Sequence, residues 1–132
     1  MFDLAALVPK DTFELHLRHP VSEELLYADE AGKKPVQIVL FGTSSKAYRK
    51  ALTDMQNRNL KRSDKQRTAE IMREEGIKLL VACSQSAKNL SFNGVAIASA
   101  DDFYHLYSDD KFEWLKSQVD KALGDVSNFI QA

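Results

Sequence analysis

At 132 residues, 44% hydrophobic and 28% charged, the chain has the composition of one folded domain, not of a disordered tail, and can bury a core without metals or disulfides. Its single cysteine, Cys83, excludes an internal disulfide framework and suits a reducing compartment, and apolar runs such as Leu79–Cys83 are far too short to cross a bilayer. The net charge of −1 hides a partition: residues 1–42 sum to −3, residues 43–73 to +6 and residues 74–132 to −4.

The opening stretch, MFDLAALVPKD, lacks the basic n-region and long apolar segment of a secretory signal, so a soluble intracellular protein is expected. Residues 12–18, TFELHLR, alternate strictly, with Phe13, Leu15 and Leu17 on one face and Glu14, His16 and Arg18 on the other, which predicts a half-buried strand ended by His19-Pro20. Leu25-Leu26-Tyr27 reads as a short second strand and Ala31–Lys34 as a turn. PVQIVLFG then predicts a strand apolar on both faces, stopped by Gly42.

Beyond residue 42 the pattern turns helical. Thr43-Ser44-Ser45 supplies caps for a helix to about Met55, and Asn57–Arg62 reads as a loop or frayed end. Ser63 and Gln66 have capping-box spacing, and the helix after them is expected to bury Ala69, Met72, Gly76, Leu79, Leu80 and Cys83, with Gly76 admitting another element closely. Asn93-Gly94 is a turn signal. Ser99–Asp102 caps a short helix bearing Phe103, Tyr104, Leu106 and Tyr107. Ser108-Asp109-Asp110 caps a final helix expected to run to Ile130, with Phe112, Leu115, Val119, Ala122, Val126 and Phe129 on one stripe. That stripe is expected to lie on the Met72–Leu79–Cys83 face of the long helix, leaving Trp114 at its margin and Gln131-Ala132 beyond the core. The fold class is α+β: one domain, residues 1–132, with a small N-terminal antiparallel sheet or hairpin over residues 1–42 and a mainly α-helical bundle over residues 43–132.

No catalytic constellation emerges. His16 and His19 fall on opposite faces of a strand, His105 is isolated in an aromatic helix, and zinc needs three or four convergent ligands. GTSSK, residues 42–46, lies between strand and helix but lacks the glycine spacing of a phosphate loop. Cys83 in its apolar run reads as a core thiol, not a nucleophile. Asp101-Asp102 and Asp109-Asp110 could pair for acid–base work or a divalent cation, but both fall where helix N-termini attract acids. No enzyme, metal or cofactor is expected. The basic middle has Tyr48 as its only aromatic and acidic segments on both sides, so a solvated or partner-binding face is favoured over nucleic acid. Candidate protein-interaction residues are Arg58, Lys61, Arg62 and Lys65 in the basic segment, and Tyr104, Tyr107 and Trp114 in the aromatic C-terminal region. The charge partition also predicts salt-sensitive self-association.

Several stretches resemble the tail assembly chaperones of bacteriophages with long non-contractile tails. TFELHLRHP and PVQIVLFGTSS with the following helix are similar to that family's N-terminal half, and REEGIKLLVACSQSAKNL followed by DDFYHLYSDDKFEWLKSQVDKALGDVSNFI to its C-terminal half. The most specific piece is the order Tyr107, SDD, Trp114, Gln118-Val119-Asp120, Asn128-Phe129. Relatives often carry a tryptophan just after the long helix, where this chain has Ser86–Leu90. The resemblance implies a non-enzymatic protein that associates in many copies with the tape-measure protein. It implies that the chain keeps that protein soluble, helps bring tail-tube subunits to it, works in the host cytoplasm and is absent from the mature virion. Family members are often also made in a longer, frameshifted form. A structural head–tail or tail component and a small nucleic-acid-binding regulator are the alternatives.

Overall fold

In the computed structural model, which describes residues 1–130, the alternating segment forms β1 (Thr12–His16), paired antiparallel with β2 (Gln37–Phe41). The register sets Phe13 opposite Leu40 and Leu15 opposite Ile38, so these four apolar side chains share one face, where Ile38 and Leu40 are fully buried, while Val39 is buried on the other. On the other face the Lys88 ammonium reaches across β2 to Glu14 at 2.9 Å, beside Val39. Leu25–Tyr27 makes only isolated bridges, at Arg18–Leu25 and Tyr27–Pro35, instead of the expected strand. The Ala31–Lys34 turn is present, with Gly32 at φ +69 and the Asp29 carboxylate accepting from the Lys33 and Lys34 amides.

The helix after Gly42 is α1 (Lys46–Leu60), capped by Ser45, whose hydroxyl accepts from the Tyr48 amide. It runs through the stretch expected to fray. The Ser63–Gln66 capping box forms, but it opens a 3-10 turn (Asp64–Gln66); the long helix α2 (Ala69–Cys83) has its own cap in Thr68. The buried face of α2 matches expectation at Leu80 and Cys83 but not at Ala69, which is exposed. The helix buries Glu75, Ile77, Leu80 and Cys83, while Met72 is exposed and nothing approaches Gly76. Because α1 and α3 (Ala100–Ser108) both pack on α2, its covered surface is wider than one stripe.

Without a loop, α2 passes into β3 (Ser84–Lys88), which joins the far side of β2 and completes a three-stranded sheet ordered β1-β2-β3. The sheet is therefore not confined to the N-terminal third. A hairpin of β4 (Ser91–Phe92) and β5 (Val95–Ala96) follows, and its Asn93 and Gly94 both take positive φ, as the turn signal requires. Ser99 caps α3 in a capping box with Asp102, as expected. One buried cluster joins the sheet, α2, α3 and the last helix.

The last helix departs most from expectation. Asp109 caps a 3-10 turn (Asp110–Phe112), α4 spans only Glu113–Gly124, and a second 3-10 turn (Val126–Phe129) is capped by Asp125. Gly124 and the extended Asp125 break the stripe, so Val126 faces solvent. Phe129 swings onto the sheet, edge-on to Phe13 at 5.8 Å, instead of onto α2. A Cβ on Gly42 would lie 2.7 Å from the Phe129 ring, so the close-approach glycine is Gly42, not Gly76. Gln131 and Ala132 lie outside the described residues.

Truncating Phe129 to alanine is expected to cost about 3 kcal/mol, measured by urea unfolding. Gly42→Ala, which forces the same ring out of place, should also destabilise. A Phe129→Ala variant as stable as the parent would contradict this closure.

Candidate functional site

The basic segment divides into inward and outward charges. Arg58 and Arg62 on and just after α1 reach the carboxylate of Glu75, whose side chain is only 2% exposed. Arg58 grips it with two groups, Nη2 to Oε2 at 2.7 Å and Nε to both oxygens at 3.0 and 3.1 Å, while Arg62 Nη2 donates to Oε1 at 3.1 Å. Lys78 adds a longer contact of 3.8 Å. The hydrogen bonds from Arg58, and then those from Arg62, hold the Glu75 carboxyl below its ordinary value against the opposing effect of burial. Bidentate geometry makes this the kind of ion pair that survives burial. Arg67 pairs with Asp64 and Arg73 with Asp110, at the surface. Lys61 and Lys65 are exposed and make no ion pair among the described residues.

The aromatic candidates separate in the same way. Tyr107 is 1% exposed and offers no surface to a partner. Its hydroxyl lies 2.7 Å from the Ser84 hydroxyl, which donates its one proton to the Leu80 carbonyl, so Tyr107 is the donor. Tyr104 is half-buried and donates to Glu74, joining α3 to α2. Arg73, Glu74 and Glu75 thus tie α2 to three different elements in succession.

Trp114 is partly buried on one wall of a groove of about 630 Å³ between α4 and β1, lined by apolar side chains such as Phe13, Leu15 and Leu25 and by charged ones such as Glu14, Arg18 and Lys121. Gln118 fixes the geometry of this groove. Its side-chain amide accepts from the Arg18 amide at 2.9 Å and donates to the Arg18 carbonyl at 2.8 Å. Asn128 donates to the Ala122 carbonyl at the end of α4, and Val119 and Phe129 are core. The residues that carried the resemblance therefore hold α4 and its exit to the sheet.

The histidines have structural partners. His16 Nε2 donates to the Leu26 carbonyl at 2.7 Å, and His19 Nδ1 accepts from the Val21 and Ser22 amides. Burial pushes the Cys83 thiol up to about 11, which disfavours the thiolate a nucleophile needs. The Asp102 carboxyl is lowered by hydrogen bonds from the Ser99 and Ala98 amides, as a cap should be. Among the described residues no group of three or more His, Cys, Asp or Glu is placed to hold a metal ion, and no helix is long and apolar enough to cross a membrane.

Sequence reasoning missed Glu75 and the groove. The signal available for Glu75 is the pair of arginines four residues apart at and just after the end of α1, Arg58 and Arg62, in the element that precedes its helix. Nothing in the sequence announced the groove, because β1 and α4 lie about a hundred residues apart. No protein family, curated protein or solved structure matches the chain.

Glu75 predicts a specific acid response. Its folded value is depressed from the ordinary 4.5, so its contribution to stability is present above that value and is lost as pH falls through the folded one. Urea midpoints measured from neutral pH downward should therefore fall less steeply below pH ~4.5 in Glu75→Gln than in the parent. Identical acid limbs would contradict the clamp.

Proposed function

We propose that this protein is a tail assembly chaperone of a long-tailed phage. It binds the tape-measure protein, keeps it soluble and helps bring tail-tube subunits to it in the host cytoplasm, without entering the mature virion. The observation that carries the reading is the Trp114 groove: a partly buried indole with Phe13, Leu15 and Leu25 on a wall fixed by Gln118, rimmed by charged groups such as Glu14, Arg18, Glu23 and Lys121, a lining suited to an amphipathic helical segment. A tape-measure chain is long, apolar and helix-rich, so it presents many such segments. The resemblance running through nearly the whole chain points the same way.

The charge distribution favours this reading over a nucleic-acid-binding regulator. Arg58, Arg62, Arg67 and Arg73 are engaged within the chain, so the basic segment offers phosphate a smaller charge than its sequence suggests. The structural tail component remains a separate reading, distinguished by where the protein ends up.

The test is co-expression with the very long open reading frame expected directly downstream. The parent should hold that product in the soluble fraction. Trp114→Ala should release it to the pellet, and a circular-dichroism melt of the variant separates lost binding from lost packing, since the indole also packs against the core. Stoichiometric amounts of this chain in purified virions would overturn the chaperone role in favour of a structural one.

A further inference from the structure

Two surfaces lie outside the Trp114 groove and are complementary in chemistry. The first is the corner after α1, where Leu60 is 78% exposed next to Lys61, with exposed Lys65 in the 3-10 turn that follows. The second is a hollow of about 360 Å³ between the β4–β5 hairpin and α3, walled by Phe92, Val95, Ile97, Leu106 and Phe112. Phe92 stands edge-on to Phe112 at 5.3 Å, which holds the wall in shape, yet Phe92 and Val95 remain exposed. Its lining also holds exposed His105, and Asp102 and Asp109, whose carboxylates cap α3 and the 3-10 turn but keep free lone pairs, with exposed Asp101 next in sequence. Asp101 and Asp102 make no ion pair among the described residues, and Asp109 has only a 3.9 Å contact to Lys111.

We propose that the hollow receives the Leu60 corner of a second copy of this chain, with Lys61 and Lys65 against Asp101, Asp102 and Asp109. The occupant follows from charge and polarity together. The hollow asks for an apolar side chain accompanied by cations, and the Leu60 corner is an exposed apolar side chain followed in sequence by Lys61 and Lys65, which make no ion pair among the described residues. The lysine stems can lie along the apolar wall while their ammonium groups reach the rim. Exposed ion pairs add little affinity, so Leu60 and the hollow supply contact while the charges supply orientation and encounter rate.

The two surfaces are different parts of one chain, both on elements that pack against α2. The contact is therefore heterologous: each copy offers one corner and one hollow, and copies join head to tail into a ring or an open row. This deepens the salt-sensitive self-association expected from the charge partition, and it does not depend on which client the groove binds.

The test uses sedimentation velocity on the full chain with two variants at exposed positions: Leu60→Asp, which spoils the corner, and Val95→Asp, which spoils the hollow. The parent should sediment faster as concentration rises at low salt, and less so near ~0.5 M, where the Debye length is about 4 Å. Each variant alone should stay monomeric. Mixed in equal amounts they should form a one-to-one dimer and nothing larger, because one good corner and one good hollow remain. Lys65→Glu and Asp101→Lys repeat the design with little change in apolar surface, and circular dichroism verifies that all four fold. A parent that stays monomeric at ~100 μM and low salt overturns the proposal. So does either aspartate variant assembling like the parent, or a mixture that stays monomeric.

Discussion

A buried carboxylate that must be paired governs how the helices sit. Taking Glu75 out of water costs several kcal/mol, and only well-aligned cations offset it. Arg58 and Arg62 do so from one end of α1, which fixes both the distance between α1 and α2 and their register. An apolar contact between the two helices would tolerate sliding; a bidentate guanidinium on a carboxylate does not. The same pairing divides the basic segment. Two arginines turn inward, and Lys61 and Lys65 are left on the surface. A charge count along the sequence treats all of them alike, and so overstates the field that this segment projects.

At the other end of the domain the constraint is closure. Gln118 pairs with the backbone of Arg18, Asn128 holds the exit of α4, and Phe129 fills the space over Gly42. These residues belong to the most specific part of the resemblance, and each has a structural task in this chain. Their spacing is thus explained by closing a helix onto an edge strand. Trp114, on the same helix but turned toward the groove, is the member of that stretch left to meet a partner.

How much of this the sequence discloses depends on whether the determining contact is local. The β1 alternation, the Asn93-Gly94 turn and the caps at Ser45 and Ser99 are local, and all are realised. β3 was not legible because SQSAK has no β-branched or aromatic residue; it is an edge strand imposed by β2. The α4 break was legible in principle from Gly124-Asp125, but the apolar spacing of Val126 and Phe129 continued the helical pattern across it. The buried face of α2 is legible at Leu80 and Cys83 but not at Glu75 and Ile77, because two helices flank it and one of them brings arginines that call for a carboxylate. Of the candidate interaction residues, Trp114, Tyr104, Lys61 and Lys65 are at least partly accessible, Tyr107 is buried, and Arg58 and Arg62, with side chains 40% and 23% exposed, have their guanidiniums engaged by buried Glu75. Burial of that kind depends on tertiary neighbours that no periodicity reveals.

The claim on which this picture rests is that the buried Glu75 carboxylate depends on its partly exposed arginine partners, Arg58 and Arg62. A double-mutant cycle between Glu75→Gln and Arg58→Ala/Arg62→Ala, measured by urea unfolding at low and high salt, tests it directly. The account predicts a coupling of about 2 kcal/mol or more that changes little between ~0.05 and ~0.5 M salt. A coupling near zero, or one that salt abolishes, would contradict it.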